Sequence, residues 1–311
     1  MSYVAGVAQV GIVMFGAPIV IGLMRQVRAR AEGRAGGGVL QPWRDLRKQL
    51  GKQSIRPHGT TTVFTAAPAI VAGSALLIAA TIPIAATGSP LDAAADLFAV
   101  VGLLFLGTVA LVLAGIDTGT SFGGMGASRE ITIAALVEPT ILLAVFALSI
   151  PAGSANLAAL VINTMHHPGL VASLAGVLAF VALAIVIIAE TGRLPVDNPA
   201  THLELTMIHE AMILEYSGPN LALVEWAASI KQLVLMTLLI NCFWPVGLQP
   251  TWFGFGALIG IGWLLAKLLL LSCAIVLLET VNAKMRLFRV PELLAVAFTL
   301  GSLALVSTFL F

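Results

Sequence analysis

Eight apolar stretches of membrane-crossing length fill most of this chain: residues 4–24, 63–86, 97–116, 131–150, 170–189, 221–246, 253–278 and 293–311. Each holds at least roughly the 17–25 residues that cross a hydrocarbon core of ~30 Å at ~1.5 Å per residue. A mean hydropathy of +1.02, with 59% hydrophobic and 10% charged residues, excludes a soluble globular enzyme. The first stretch is too long for a signal-peptide core and runs into arginines, not a small-residue cleavage site, so it reads as a mature helix. The expectation is an all-α polytopic membrane protein, a single domain over residues 1–311 with eight transmembrane helices.

Lysine and arginine set the orientation. The first loop holds Arg25, Arg28, Arg30, Arg34, Arg44, Arg47, Lys48, Lys52 and Arg56; the third holds Arg129, the fifth Arg193, and the seventh Lys284, Arg286 and Arg289. The second, fourth and sixth loops hold none. The positive-inside rule then makes the odd loops cytoplasmic and puts both termini outside. The basic residues are accounted for by topology, so a net charge of +1 carries no signal for nucleic acid.

The residues also exclude several chemistries. Cys242 and Cys273 both fall inside apolar stretches, which argues against a disulfide framework. Two cysteines cannot supply the four thiolates of an ordinary iron–sulfur cluster. His58, His166, His167, His202 and His209 all lie in loops, which disfavours a membrane anchor with paired haem ligands. Neither a Gly-rich phosphate loop ending in Lys-Ser/Thr nor an H-E-x-x-H motif occurs. If the chain serves a redox machine, the redox centres sit on other subunits.

Two loops on the basic side are long enough to build something. In residues 25–61 a basic, Gly-rich run gives way to VLQPWRDLRKQLGK, where Leu40, Trp43, Leu46 and Leu50 recur at helical spacing. This stretch is either a membrane-surface helix among anionic headgroups or a docking surface for a soluble partner. In residues 190–220, Asn198-Pro199 reads as an N-cap with proline at the first helical position, and Gly218-Pro219 as a stop. A helix over about 199–217 is predicted. At ~100° per residue Glu215 falls about 20° from Glu204. Both lie within the apolar face, with His202, Thr206 and His209 on the other side. A surface helix would turn its carboxylates the opposite way. The two glutamates either snorkel or pair with nearby arginines, or they line a polar cavity against the bundle.

Within the apolar stretches lie Glu138, Glu225, Lys231 and Lys267, with Glu279 just past the seventh. Each ionisable group in hydrocarbon costs several kcal/mol or so unless paired or solvated. Glu225 and Lys231 are six apart, off the i,i+4 spacing, and need not pair with each other. A proton relay and a set of structural ion pairs between helices both fit this pattern.

The string AETGRLPVDNPATHLELTMIHEAMILEYSGPNLALVEW resembles the signature loop of the membrane subunit shared by respiratory complex I (its subunit 1) and energy-converting group 4 nickel–iron hydrogenases. VLQPWRDLRK, GIDTGTSFGGMGASRE running to LVEP, and AKMRLFRVPE agree in order, so the resemblance touches every loop on the basic side. The GIDTG-x-x-F-x-x-x-GASRE run is closer to the hydrogenase type, as are three additional residues between Glu204 and Glu215-Tyr216. The family's Arg-Arg-Gly-Pro run is replaced here by Arg34-Ala35-Gly36-Gly37-Gly38, a more flexible and less basic loop.

The resemblance implies a subunit that joins a soluble electron-transfer module to antiporter-like proton-pumping membrane subunits. Arg129 and Glu138 keep the family spacing of an arginine and an intramembrane glutamate, Asp197 matches the aspartate after the loop proline, and Glu204 the first glutamate of the helix. The implied proton path comprises Glu138, Asp197, Glu204, Glu215, Glu225, Lys231 and Lys267. Docking of the partner is implied at Arg34, Gln41, Arg44, Asp45, Asp117, Arg129 and Arg193. No cofactor is expected on this chain; iron–sulfur clusters, and a nickel–iron centre where one exists, belong to soluble iron–sulfur and hydrogenase-type large and small subunits. The other expected partner is the lipid bilayer of the cytoplasmic membrane, and nucleic acid is not expected. A secondary transporter and a passive anchor, with Glu138 paired to Arg129, stand as alternatives.

The charge pattern yields a topology test. Reporter fusions at Gly88, Gly153 and Gln249 should signal from outside the cytoplasm, and fusions at Gly37 and Arg289 from within it. A cytoplasmic signal at Gly153 would break the eight-span arrangement.

Overall fold

The computed structural model describes residues 2–87, 91, 94–197, 207–249 and 255–310. Its elements are helices: α1 (Ser2–Ala31), α2 (Gln41–Leu50), α3 (Thr62–Thr81), α4 (Leu97–Asp117), α5 (Ser121–Ala152), α6 (Leu157–His166), α7 (Gly169–Ala172), α8 (Leu174–Glu190), α9 (His209–Ile213), α10 (Gly218–Phe243), α11 (Phe255–Val281) and α12 (Val290–Leu310). Seven of them, α1, α3, α4, α5, α10, α11 and α12, are long and apolar enough to cross a membrane. The stretch expected to form the fifth span appears instead as the short α7 and the 17-residue α8.

Helix ends follow from local chemistry. Thr61, Asp96, Thr120 and Ser173 accept hydrogen bonds from the first-turn amides of α3, α4, α5 and α8, satisfying donors that have no intrahelical partner. Pro219 stands in the first turn of α10, so Gly218-Pro219 starts a helix where the sequence suggested a stop. Helix α5 begins at Ser121, ten residues before the expected span, and so carries Arg129 and Glu130 in its regular ladder. Helix α1 continues through the basic Arg25, Arg28 and Arg30, and its last turn complements the negative end of the helix dipole.

The bundle is organised around two long helices. Helix α5 packs on α4, α8 and α12; α10 packs on α3, α1, α2 and α8. Their facing side chains, from Val13 and Ile78 through Ile141 and Leu183 to Leu235 and Ala304, form one continuous apolar core.

The loops gather at two ends. At one, the loops after α3, α5 and α10 meet: Leu157 N–H donates to Ala95 O (2.8 Å), and Thr87 N–H to Gln249 O (3.0 Å). At the other, Ile55 N–H donates to Ser217 Oγ (2.8 Å), Thr61 N–H to Asp117 Oδ2 (2.8 Å), and Met285 N–H to Pro195 O (2.9 Å). The second end carries every lysine and arginine except Lys231 and Lys267.

Helix α2 is docked against the bundle. Trp43 stacks on Phe15 (5.7 Å between centroids), meets Trp226 edge-on (6.1 Å), and donates its indole N–H to Phe15 O (3.1 Å). Leu46 is buried, while Leu40 and Leu50, expected on the same stripe, stay exposed. Gly22 makes this possible, because a Cβ there would collide with the Val39 carbonyl.

The described part of the helix expected over 199–217, residues 207–217, is helical only in α9. Asn198, Pro199, His202 and Glu204 lie outside the described residues. Beyond them, only α9 is helical, and Met207, Ile208 and 214–217 are not. The cause is competition for the backbone. The Ile208 N–H goes to Asp197 Oδ2 (3.3 Å) and the Met207 carbonyl to Arg129 (2.8 Å), leaving neither for a helical ladder. The wheel that placed Glu215 beside Glu204 therefore does not apply.

Close packing of α9 on α5 depends on Gly126, where a Cβ would lie 2.9 Å from Ala211 Cβ and 3.1 Å from Ile208 O. Gly126→Val should destabilise this contact by about 1–3 kcal/mol. Faster proteolysis or hydrogen exchange in residues 207–213, with the spanning helices unchanged, is the expected measurement.

Candidate functional site

The buried charges converge where α4, α5, α8, α9 and α10 meet. Lys231, on α10, forms an ion pair with Glu190, the last residue of α8, and its ammonium lies 3.5 Å from Thr108 Oγ1 on α4. His209, the first residue of α9, places Nδ1 3.0 Å from Glu130 Oε2 on α5. Glu138, about 12 Å further along α5, lies in the electrostatic field of Glu190, Lys231 and Glu130. Glu130 and Glu190 are each 2% exposed and Glu138 is 7% exposed, and Glu138 Oε1 makes no hydrogen bond. Three carboxylates thus face two cations, which leaves the group one positive charge short in a low-dielectric setting. Each charge in such a set acts on its neighbours.

Two cavities flank this cluster. One, of ≈ 260 Å³, opens toward the basic end and is lined by Arg25, Asp45, Arg193, Asp197, Glu225 and Glu190 among others. The second, ≈ 60 Å³, lies deeper between α3, α4 and α10 beside Thr108 and Glu130. Among the described titratable residues, only His209 and Lys231 line both. Burial alone would depress the His209 imidazole, but the Glu130 carboxylate, by charge and by hydrogen bond, holds its pKa above the ordinary histidine value.

Of the expected path residues, Glu138 and Lys231 belong to this cluster, and Asp197 and Glu225 line its larger cavity. Asp197 pairs with Lys284 (2.8 Å), and Glu225 accepts from Gln49 Nε2 with both oxygens (3.1 Å each). Glu215 is half-buried and lines neither cavity. Lys267 stands apart. It donates to Asn241 Oδ1 (3.3 Å) and to the carbonyl of Trp244 (3.2 Å), beyond the far end of α10 and about 20 Å of helix rise from Lys231.

The expected docking residues divide similarly. Arg34 and Arg44 are exposed on the basic end, Arg34 beside Glu32. Gln41 donates to Asp45 (2.9 Å), and Asp45 lines the larger cavity. Asp117 is half-buried and accepts from the Thr61 and Phe64 amides at the start of α3. Arg193 is buried against Glu279 (3.4 Å) and Gln232 (2.8 Å), and Arg129 holds the Met207 carbonyl, not Glu138. The last three take part in the bundle's own contacts.

Sequence reasoning missed Glu130 and Glu190, and gave His209 no part in the site. Glu130 was legible in principle: it stands eight residues before Glu138, about 80° away on the wheel. Among the described residues no group of three or more His, Cys, Asp or Glu side chains could hold a metal ion, and Cys242 and Cys273 are free thiols.

Several known proteins resemble this chain. A family model described as NADH dehydrogenase matches residues 4–310. Formate hydrogenlyase subunit 4 of Escherichia coli (strain K12) is 35% identical over 291 residues, covering 94% of each chain. A subunit of the NADH-quinone oxidoreductase of Paraburkholderia xenovorans (strain LB400) is 30% identical over 246 residues, covering 75% of this chain and 68% of its own. In fold, the chain matches a chain of the membrane-bound sulfane sulfur reductase, an archaeal respiratory membrane complex, with a TM-score of 0.83 at 18% identity and 99% coverage of both.

The His209–Glu130 pair has a definite pH signature. A raised histidine pKa means that the pair's contribution is complete below the ordinary histidine value and is lost as pH rises through the raised one. Hydrogen exchange in residues 209–213 should therefore accelerate, beyond its intrinsic increase, on the alkaline side of that transition. In Glu130→Gln the transition should shift down toward the ordinary histidine value.

Proposed function

We propose that this chain, which belongs to the NADH dehydrogenase family, is the proton-coupling membrane subunit of a hydrogenase-related respiratory complex. It is a multi-pass membrane protein, and its relatives include a subunit of formate hydrogenlyase. The observation that carries the proposal is the buried cluster of Glu130, Glu138, Glu190, Lys231 and His209, which adjoins a cavity opening toward the basic end.

Basic loops collect at one end, which the positive-inside rule assigns to the cytoplasm. The separation of odd and even loops also supports a crossing by α8. Its start lies near the loop after α10, with Val171 and Ala172 lining the same cavity as Trp244 and Pro245, while Pro195 just beyond its end pairs with Met285 at the opposite end. Its 17 residues give a length of about 25 Å, short for a span and sufficient inside a bundle. Eight crossings then leave both termini on the outer side of the cytoplasmic membrane.

The exposed basic face of α2 and the loop around Arg34 suit a soluble partner. That module would hold the iron–sulfur clusters, and any nickel–iron centre, on hydrogenase-type large and small subunits. Antiporter-like membrane subunits complete the assembly. Nothing in the cysteines here fits a cluster, so this chain's contribution is proton movement. Protons entering the cavity past Asp45, Asp197 and Glu225 reach a cluster already one positive charge short. A change of charge at the docking face would redistribute them toward Glu138.

The passive-anchor alternative pairs Glu138 with an arginine such as Arg129, and Arg129 donates instead to the Met207 carbonyl. The decisive variant is Glu138→Gln in the intact complex reconstituted in vesicles. The proposal expects normal assembly and proton translocation reduced on the order of tenfold or more. Normal translocation in an assembled Glu138→Gln complex would overturn it.

A further inference from the structure

Among the described residues, His209 occupies a position that no other imidazole shares. It lies outside the membrane-spanning helices on the five-residue α9, yet its ring contacts a carboxylate within the bundle and it lines both cavities. Nδ1 lies 3.0 Å from Glu130 Oε2 as an ion pair, and neither ring nitrogen makes a hydrogen bond of good geometry among the described residues. One ring nitrogen thus faces the buried carboxylate while the ring borders the cavities.

We infer that His209 is the hand-over residue that carries protons from the cavity at the basic end to Glu130. The inference rests on the proton-path reading above and names the entry residue of that path. The step balances within the pair. A protonated His209 transfers the Nδ1 proton to Glu130 Oε2, which leaves a neutral imidazole and a neutral carboxylic acid. The ring is left as the Nε2–H tautomer, so once Glu130 has passed its proton on toward Glu190 or Glu138 the ring rotates to turn its bare Nδ1 to the larger cavity, takes up a proton from water there and rotates back. An imidazole suits this role because it accepts and releases protons near physiological pH.

The groups facing His209 fit this sequence. From α5 it meets Glu130; from α10 and α8 it feels Lys231 and Glu190. Asp197, Glu210 and Glu225 share the larger cavity with it, together with the cations Arg25 and Arg193. The neighbouring Glu130 carboxylate favours the protonated ring and raises its pKa above the ordinary histidine value. Lys231, the other group lining both cavities, is tied to Glu190 and Thr108.

The test uses the intact complex in vesicles. His209→Asn puts an amide nitrogen near the position of Nδ1, keeping a donor beside Glu130 without a titrating group. Proton translocation should fall on the order of tenfold or more. In His209→Ala, added imidazole should restore a substantial part of it, with a pH dependence that follows the added base. Rescue of that kind is not expected of a purely structural histidine. Should His209→Asn fail to assemble, His209→Ala with and without imidazole carries the test, and Glu130→Gln should show the same loss without rescue. An assembled His209→Asn complex that translocates normally would overturn the relay, as would the absence of imidazole rescue in His209→Ala. If Glu138→Gln still abolishes translocation in those cases, the proton path stands and only its entry residue is wrong. If Glu138→Gln is also normal, the path itself fails.

Discussion

The Lys231 ammonium is the charge on which the buried side of this bundle depends. It enters from α10, binds the Glu190 carboxylate at the end of α8, touches Thr108 on α4, and lies in the field of Glu130 and Glu138 on α5. Four helices therefore meet around one cation. Burying a carboxylate in hydrocarbon costs several kcal/mol or so, and a neighbouring opposite charge offsets that cost only with good geometry and further hydrogen bonds. Remove the ammonium and Glu190 is left at 2% exposure without its cation. The cluster is stable as a set, and that interdependence makes it responsive: any change in one charge alters the balance felt by all the others.

The spans were legible in the sequence because twenty or so apolar residues have almost no other use, and the basic loops were legible because charge and hydropathy alternate cleanly. The site was legible only in part, for the same physical reason. A hydropathy pattern ends a span at its first charge, so Glu130 and Glu190 fell at span margins. The folded helices run through or up to those charges because His209 and Lys231 meet them there. Glu138 and Lys231 were found because they interrupt long apolar runs. Gly218-Pro219 misled for a different reason: glycine ends helices and proline starts them, and the same dipeptide serves either purpose depending on which neighbour is helical. The loop helix failed because its amide and carbonyl groups had better partners, Asp197 and Arg129, from distant parts of the chain. Tertiary competition of that kind has no local signature.

Loop segregation and buried charge turn out to be related. Odd loops meet one another through side chain and backbone hydrogen bonds at the basic end, and Tyr216 reaches from the fifth loop to stack on Phe64 of α3 and donate to its carbonyl (2.7 Å). Ser217, Asn220 and Gly218 bind the first loop. The fifth loop is thus fastened to the start of α3 and to the chain following α2. The even end is held mainly by backbone pairs and by Asn241 and Gln9, which donate to carbonyls at and just beyond the end of α3. Ionisable groups are concentrated at one end and in the half of the bundle beneath it, and the opposite half relies mainly on neutral hydrogen bonds, with Lys267 and the Asp96 cap of α4 as charged exceptions.

This asymmetry gives the short α9 a leverage out of proportion to its length. Every tie it has runs to an element that bears on the buried cluster: the Gly126 contact and the His209–Glu130 pair join it to α5, Arg129 of the same helix grips the backbone just before it, and Asp197, in the segment leading away from α8 and Glu190, grips the next amide. Bilayer-embedded helices cannot shift far without exposing polar backbone to lipid. A short segment outside the spans can. Displacing α9 by even one hydrogen-bond length would withdraw an imidazolium from Glu130, leaving two carboxylates and Glu130 to compete for one ammonium. A partner docked on the basic end need not reach into the membrane to change the protonation of its interior; it need only move the five residues that already touch it.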